Sequence, residues 1–277
     1  PPTAPRSGRE FDLRVSSMPG VNGEKLVLRL LDQMPVQHRL EALGFLKQDL
    51  TVLEQASQAA HGLILMVGPT GSGKTTTLYA ILNALNSHER HIFTIENPVE
   101  YQVSGITQVS VNPDQGLGFA EALRASLRWD PDVILVGEIR DQVTTENAIR
   151  ASLTGHLVLA SVHSNDAVSA VTRLLDMGTP PFLIASSLRA VVSQRLVRNI
   201  CNKCKVFIEP DAEDLDLLPP KYKNLKQVGL GSGCVACFNT GYRGRSIISE
   251  TLYLNENFRN LILDKASPSE LQKAAVL

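Results

Sequence analysis

The sequence predicts an α/β protein built on a mostly parallel sheet covered by helices, and three observations carry that prediction. From His61 onward, short apolar runs at 63–67, 91–95, 106–111, 133–136 and 157–162 alternate with helical patterns, as parallel βαβ units require. The first run leads directly into Gly68-Pro69-Thr70-Gly71-Ser72-Gly73-Lys74-Thr75, a glycine-rich turn of the kind that joins a buried strand to a helix around phosphate. The 277 residues are 43% hydrophobic and 20% charged, ordinary globular usage that excludes a disordered or fibrous chain. A chain of this length buries about 70% of its unfolded surface without disulfide staples.

Charge and length exclude other classes. Lys+Arg total 27 against 28 Asp+Glu, a net charge of -1, far from the basic balance of a protein held mainly by nucleic-acid phosphates. No apolar run is long enough to span a bilayer, and the start does not read as a signal peptide. A soluble cytosolic chain is therefore expected. It opens on Pro1-Pro2 and closes just after Ser267-Pro268-Ser269-Glu270, a capping box with proline at the first helical position. Too few residues follow to bury that helix's face, so both ends are expected to belong to larger elements.

Taken in order, residues 11–16 (FDLRVS) and 24–31 (EKLVLRLL) alternate apolar and polar residues around a Gly- and Asn-bearing turn, the pattern of a β-hairpin. Residues 38–60, with Leu40, Leu43, Leu46, Leu50 and Leu53 at helical spacing, read as a helical linker. The βα region follows, with a helix expected over 76–85. Residues 201–240 differ again, holding all four cysteines, several glycines and an acidic insert.

In the turn after the first βα strand, Gly68, Gly71 and Gly73 let backbone N–H groups curl round phosphate, and the helix N-terminus adds partial positive charge. Pro69, Thr70, Ser72 and Thr76 complete the cradle; Lys74 would reach the β- and γ-phosphates of a nucleotide, and the Thr75 hydroxyl would ligate Mg²⁺. A second buried strand ends in Val136-Gly137-Glu138. A carboxylate there can hold the Mg²⁺ shell or polarise an attacking water; such a group can also be a cap or an ion-pair partner.

From Gly62 through Arg195 the chain resembles the secretion ATPase superfamily in its GspE/PilB type, which powers type II secretion and type IV pilus assembly. The resemblance lies in IFTIENPVEY, LGFAEALRASLRWDPDVILVGEIRD, ASLTGHLVLASVHSNDA and SSLRAVVSQRLVRNIC. It implies a RecA-like P-loop NTPase motor domain over 61–277. Residues 1–37 would be the end of an N-terminal α/β domain, and 201–240 an inserted zinc-binding subdomain. It makes Glu96 the carboxylate that orients water, Glu138 the Walker B carboxylate, and His163 a contact to the γ-phosphate. Asn97, Val143, Trp129 and the run SVHS depart from the family's usual Asp, Glu, Gln and TLHT, and none of them removes Lys74, Thr75, Glu96, Glu138 or His163.

Arg14 and Arg29 each alternate with apolar neighbours on the two hairpin strands, so both point away from the apolar face. Symmetric pairing about the turn sets Arg14 opposite Arg29. Opposed like charges destabilise a hairpin unless an anion lies between them. A nucleotide γ-phosphate would supply it, matching arginines that the family's N-terminal domain sends to the nucleotide; two solvated surface arginines are the alternative.

Cys201-x-x-Cys204 and Cys234-x-x-Cys237 form two pairs with no cysteine left over. Two such knuckles complete a tetrahedral Zn²⁺ shell, with the stretch 205–233 looping out between them; disulfides are the alternative, disfavoured in a reducing compartment. In the family this region occurs in assembly and secretion branches and is typically absent from the retraction branch. Arg189, Arg195, Arg198, Lys203 and Lys205 could face acidic lipid or a partner protein, or simply solvent.

The resemblance therefore implies a Mg²⁺-dependent ATPase acting as a homo-hexamer on the cytoplasmic face of the bacterial inner membrane. Its partners would be the membrane platform and docking proteins of a secretion or pilus machine. Two rivals remain: a nucleic-acid translocase, which the near-neutral charge and 5% aromatic content disfavour, and a zinc-bearing scaffold that binds ATP with little turnover.

Overall fold

The computed structural model describes residues 11–32 and 39–275. The remaining parts of the expected N-terminal segment (1–10 and 33–37), linker residue 38 and the last two residues lie outside it. Strands β1 (Phe11–Gly20) and β2 (Gly23–Asp32) pair antiparallel, with Leu13 opposite Leu30, Arg14 opposite Arg29 and Val15 opposite Leu28. From residue 13 to residue 30 every hairpin side chain is exposed, on both faces.

The leucine-rich run after the hairpin divides in two. A 3-10 turn at Leu40–Leu43 ends at Gly44, whose φ of 90° is left-handed, and α1 (Lys47–Ser57) begins after it. Leu40, Leu53 and Ala56 are buried, while Leu46 sits exposed at the start of α1. One glycine in the αL region therefore interrupts the helical spacing.

The central sheet uses β3 (Gly62–Val67), β4 (Ile92–Glu96), β5 (Thr107–Ser110), β6 (Val133–Val136) and β7 (Leu157–Val162). Each expected strand is present to within a residue or two. β8 (Leu188–Ile200) joins them and runs on past the end of β3 toward a small antiparallel ribbon of β9 (Lys205–Ile208) and β10 (Val228–Gly231). The chain returns as β11 (Tyr242–Tyr253). The order is β11-β8-β3-β7-β6-β4-β5, parallel throughout except for β11 against β8.

Strand alternation feeds two cores. Leu63, Leu65 and Val67 point into one and Ile64 and Met66 into the other, which is why the β3 sequence is continuously apolar rather than alternating. α1 and α2 (Lys74–Leu85) cover one face. The other carries α3 (Phe119–Ser126), α4 (Gln142–Leu153), α5 (Ala167–Asp176) and α6 (Pro181–Ser187). Asp141 and Asp166 cap α4 and α5, accepting from the N–H groups of Thr144 and Ser169.

Within the insert lies a short α7 (Ala212–Asp216), and α8 (Glu256–Leu263) and α9 (Pro268–Ala275) close the described chain. The capping box forms: the Ser267 N–H donates to Glu270 Oε2 at 2.8 Å and the Glu270 N–H to Ser267 Oγ at 3.3 Å. Contrary to expectation, the few residues after it do seat that helix: Leu271 is fully buried in the main core.

Candidate nucleotide site and four-cysteine cluster

The parallel strands end on one edge of the sheet, and the sequence places a polar group at nearly every end. β3 delivers the glycine-rich turn, β4 ends on Glu96, β6 is followed by Gly137 and Glu138, and β7 by His163. This is the edge where open α/β sheets bind ligands. A cavity of about 460 Å³ opens there, lined by residues 70–76, Glu96, Glu138, Arg140, His163 and Arg245, and by Arg14 and Arg29 from the hairpin.

Within the turn, Gly68, Gly71 and Gly73 all have positive φ, and a Cβ on Gly68 would lie 2.5 Å from the Gln194 carbonyl. Only glycine fits between this loop and β8. Lys74 Nζ donates to the carbonyls of Gly68 (2.7 Å) and Pro69 (3.1 Å). Burial holds its pKa below the ordinary lysine value, a shift opposed by the Glu138 charge. Thr75 and Thr76 open α2 and line the cavity, so the hydroxyls and the helix N-terminus face the same space.

Glu138 is engaged on both oxygens. Oε1 lies 3.1 Å from His163 Nε2, and Oε2 accepts from Arg140 at 2.6 Å. Beneath this loop, Ser161 Oγ donates to the Gly137 carbonyl at 2.5 Å. Glu96 is 4% exposed. Its Oε1 accepts from Thr94 Oγ1 and its Oε2 from the Tyr79 hydroxyl, each at 2.6 Å. Burial pushes its pKa above the ordinary glutamate value, and the bonds from Thr94 and Tyr79 partly pull it back.

The sequence-predicted residues Lys74, Thr75, Thr76, Glu96, Glu138, His163, Arg14 and Arg29 thus share one cavity. Of the positions that depart from the family pattern, Asn97 lines it too, whereas Val143 is exposed in the first turn of α4. Sequence reasoning missed several residues. Arg140 carried a signal, standing two positions after Glu138 in the same loop. Gln194 carried none: its Nε2 donates to the Ser72 carbonyl (2.8 Å) and its Oε1 accepts from Thr77 Oγ1 (2.9 Å), across more than a hundred residues of chain.

The four cysteines are gathered at the far end of β8. Their sulfurs lie within 4.8 Å of one another, with Sγ–Sγ separations of 3.9 Å (Cys201–Cys234), 3.8 Å (Cys204–Cys237) and 3.7 Å (Cys234–Cys237). Four sulfurs about 2.3 Å from a tetrahedral centre stand about 3.8 Å apart, so the cluster matches a metal shell and is too wide for disulfide bonds. Within the cluster the thiols share their hydrogen bonds unequally: burial and its cysteine neighbours push the Cys204 thiol up to about 12, while bonds from the backbone of Cys234 and Gly241 and from neighbouring thiols bring Cys237 down to about 6.

With this geometry in hand, the chain was compared with known proteins. The family described as Type II/IV secretion system protein matches residues 4–276. The chain is 48% identical over 266 residues to the Type II secretion system ATPase E of Vibrio cholerae, covering 96% of the chain and 53% of that protein. It is 45% identical over 268 residues to the Type IV pilus assembly ATPase PilB of Thermus thermophilus, covering 96% of the chain and 30% of that protein. The chain thus spans about half the length of the type II secretion relatives it matches. Among solved structures, the pilus retraction motor PilT with bound ADP aligns at a TM-score of 0.65, with 29% identity over 95% of the chain and 68% of that structure. The Legionella pneumophila ATPase DotB, at 21% identity and a TM-score of 0.66 over 98% of the chain and 66% of that structure, shares the RecA-like fold.

Proposed function

The chain belongs to the type II/IV secretion system protein family, and from that premise we propose that it hydrolyses Mg-ATP to drive assembly of a type IV pilus or a type II secretion pseudopilus. The observation that carries the proposal is the convergence of Lys74, Glu96, Glu138, His163, Arg14 and Arg29 on one cavity at the strand ends. A phosphate-binding turn alone would serve a scaffold. A turn facing two carboxylates, a histidine and two arginines suits γ-phosphate transfer to water.

In this proposal Lys74 exchanges its two backbone carbonyls for the β- and γ-phosphates, and the N–H groups of residues 70–74 and the α2 dipole hold the remaining oxygens. Glu96 orients the attacking water. His163, tied to Glu138, contacts the γ-phosphate, and Arg14 and Arg29 neutralise charge that develops in line. Thr75 and Glu138 would hold Mg²⁺, which supplies charge stabilisation at the phosphates. Cys201, Cys204, Cys234 and Cys237 would hold a structural Zn²⁺.

We place the end of an N-terminal domain at 1–37, a linker at 38–60 and the motor domain at 61–277, with the zinc subdomain at 201–240. Among the described residues no helix is long and apolar enough to cross a membrane. The proposed setting is the cytoplasmic face of the inner membrane, as a homo-hexamer docked to the platform of a secretion or pilus machine. Acidic lipid is a candidate contact for the basic residues near the cysteines.

The test is phosphate release from Mg-ATP across a range of protein concentrations, with Lys74→Ala as the blank. Specific activity that climbs with concentration supports a site completed by assembly. ATP binding without release above the blank overturns the motor in favour of a scaffold.

A further inference from the structure

Tyr79 lies in the second turn of α2, the helix that begins at Lys74, and is fully buried. Packing explains its ring, which tilts against Tyr101 with centroids 4.2 Å apart. Packing does not explain its hydroxyl. A core ring with no polar role is served equally well by phenylalanine, whereas a buried hydroxyl needs partners. This one has two. It donates to Glu96 Oε2 at 2.6 Å and accepts from Gln108 Nε2 at 3.1 Å.

Gln108, on β5, is itself fixed: its Oε1 accepts from the Val103 N–H at 2.7 Å, and its Nε2 also reaches the Tyr101 carbonyl at 3.2 Å. Thr94, one pleat before Glu96 on the same face of β4, donates to the other carboxylate oxygen. Each oxygen of Glu96 therefore accepts one short bond from a neutral hydroxyl, and Gln108 Nε2 adds a longer one to Oε1 at 3.5 Å, so the carboxylate plane is held by three bonds. No lysine or arginine pairs with Glu96 among the described residues. Burial pushes the carboxylate pKa up, and the bonds from Thr94, Tyr79 and Gln108 offset that rise only in part.

We propose that Tyr79 is a positioning residue for Glu96, its hydroxyl aiming the carboxylate at the water that attacks the γ-phosphate and linking that aim to the helix that carries Lys74. The inference rests on the reading of Glu96 given under Proposed function. Tyr79 touches no substrate. It acts by restricting one rotamer of a group that does, and small misplacements of such a group slow the chemical step while leaving substrate binding intact.

The test is steady-state hydrolysis by the full chain, with Tyr79→Phe, Thr94→Val, Glu96→Gln and the double variant Tyr79→Phe/Glu96→Gln, alongside thermal melts. Tyr79→Phe is expected to lower kcat about tenfold at unchanged KM for ATP, and Thr94→Val to act in the same direction. Glu96→Gln is expected to lower kcat by about a hundredfold or more. In that background Tyr79→Phe should add less than about twofold, because a positioning bond has nothing left to position.

Full kcat in Tyr79→Phe beside a slow Glu96→Gln overturns the inference and leaves the hydrolytic reading standing. So does a rise in KM alone, or a full additional loss in the double variant. Full turnover in Glu96→Gln overturns both the inference and the role given to Glu96, while hydrolysis by the chain stands. If Tyr79→Phe does not fold, Thr94→Val decides: reduced kcat at unchanged KM supports the positioning of this carboxylate, and unchanged kcat overturns it.

Discussion

Replacing Gln194 with leucine removes a polar tie while keeping the volume. Gln194 is 1% exposed, and its amide joins the Ser72 carbonyl in the glycine-rich turn to the Thr77 hydroxyl in α2. In Gln194→Leu both partners stay buried without it. An unmet buried polar group costs about 1–3 kcal/mol. The Thr77 hydroxyl can turn toward the Gly73 carbonyl, which already accepts its own N–H, so the lower part of the summed range applies, about 2–4 kcal/mol. For a chain of this size that is a fall in Tm of about 5–15 °C. The turn also loses its anchor to β8, and a penalty of about 1.4 kcal/mol in forming the phosphate cradle weakens nucleotide binding about tenfold. Thermal melts and a fluorescent-nucleotide titration measure both. A Tm within about 2 °C of the parent together with unchanged affinity would refute the idea that β8 braces the turn.

Three further outcomes are expected. Arg14→Ala or Arg29→Ala should cut phosphate release at least about a hundredfold, in line with arginines that neutralise transition-state charge; unchanged hydrolysis would return both to the solvated surface. Metal analysis of the purified chain should give one zinc per chain, lost in Cys204→Ser with a lower Tm, and zinc affinity should weaken as falling pH protonates the thiolates; a metal-free chain of full stability would remove the metal from the account. Finally, burial raises the Glu96 pKa, and the carboxylate works as an anion, so kcat should fall as pH drops through a value above the ordinary glutamate range of about 4.3. The same shift makes the Glu96 contribution to stability largest at low pH and lost as pH rises through the folded-state value. An acid limb at or below the ordinary value contradicts the burial argument.

The βα strands and the glycine-rich turn were legible because both their determinants are local: five apolar runs, and a spacing of glycines before Lys74. The Arg14–Arg29 pairing was legible for the same reason, since a hairpin's register follows from its turn. β8 was not assigned as a strand, because Arg189, Ser193, Gln194, Arg195 and Arg198 break its apolar pattern. The structure explains them, since β8 is buried at the sheet and emerges toward the cysteines, so no single burial pattern runs its length. The carboxylate at position 96 was found only through a resemblance, and its partners Thr94, Tyr79 and Gln108 were not found at all. Their association is a tertiary contact among β4, α2 and β5 that no sequence spacing encodes. The sequence also read 38–60 as one helical linker, where the left-handed Gly44 breaks the run and the buried leucines dock against the sheet.

The hairpin carries two of the six side chains proposed to converge on the nucleotide, yet its own side chains bury almost nothing. An isolated two-stranded ribbon has little intrinsic stability in water, and opposed arginines make it less favourable still. Little of its own surface holds it over the phosphate turn, and if molecules with the ribbon elsewhere are populated, the apparent affinity for a triphosphate is the intrinsic affinity scaled by the fraction with it in place. A surface that packed against the open row of Leu13, Val15, Leu28 and Leu30 would raise that fraction without touching the nucleotide. Control over catalysis would then lie in whatever holds the ribbon, with the strand-end residues unchanged throughout.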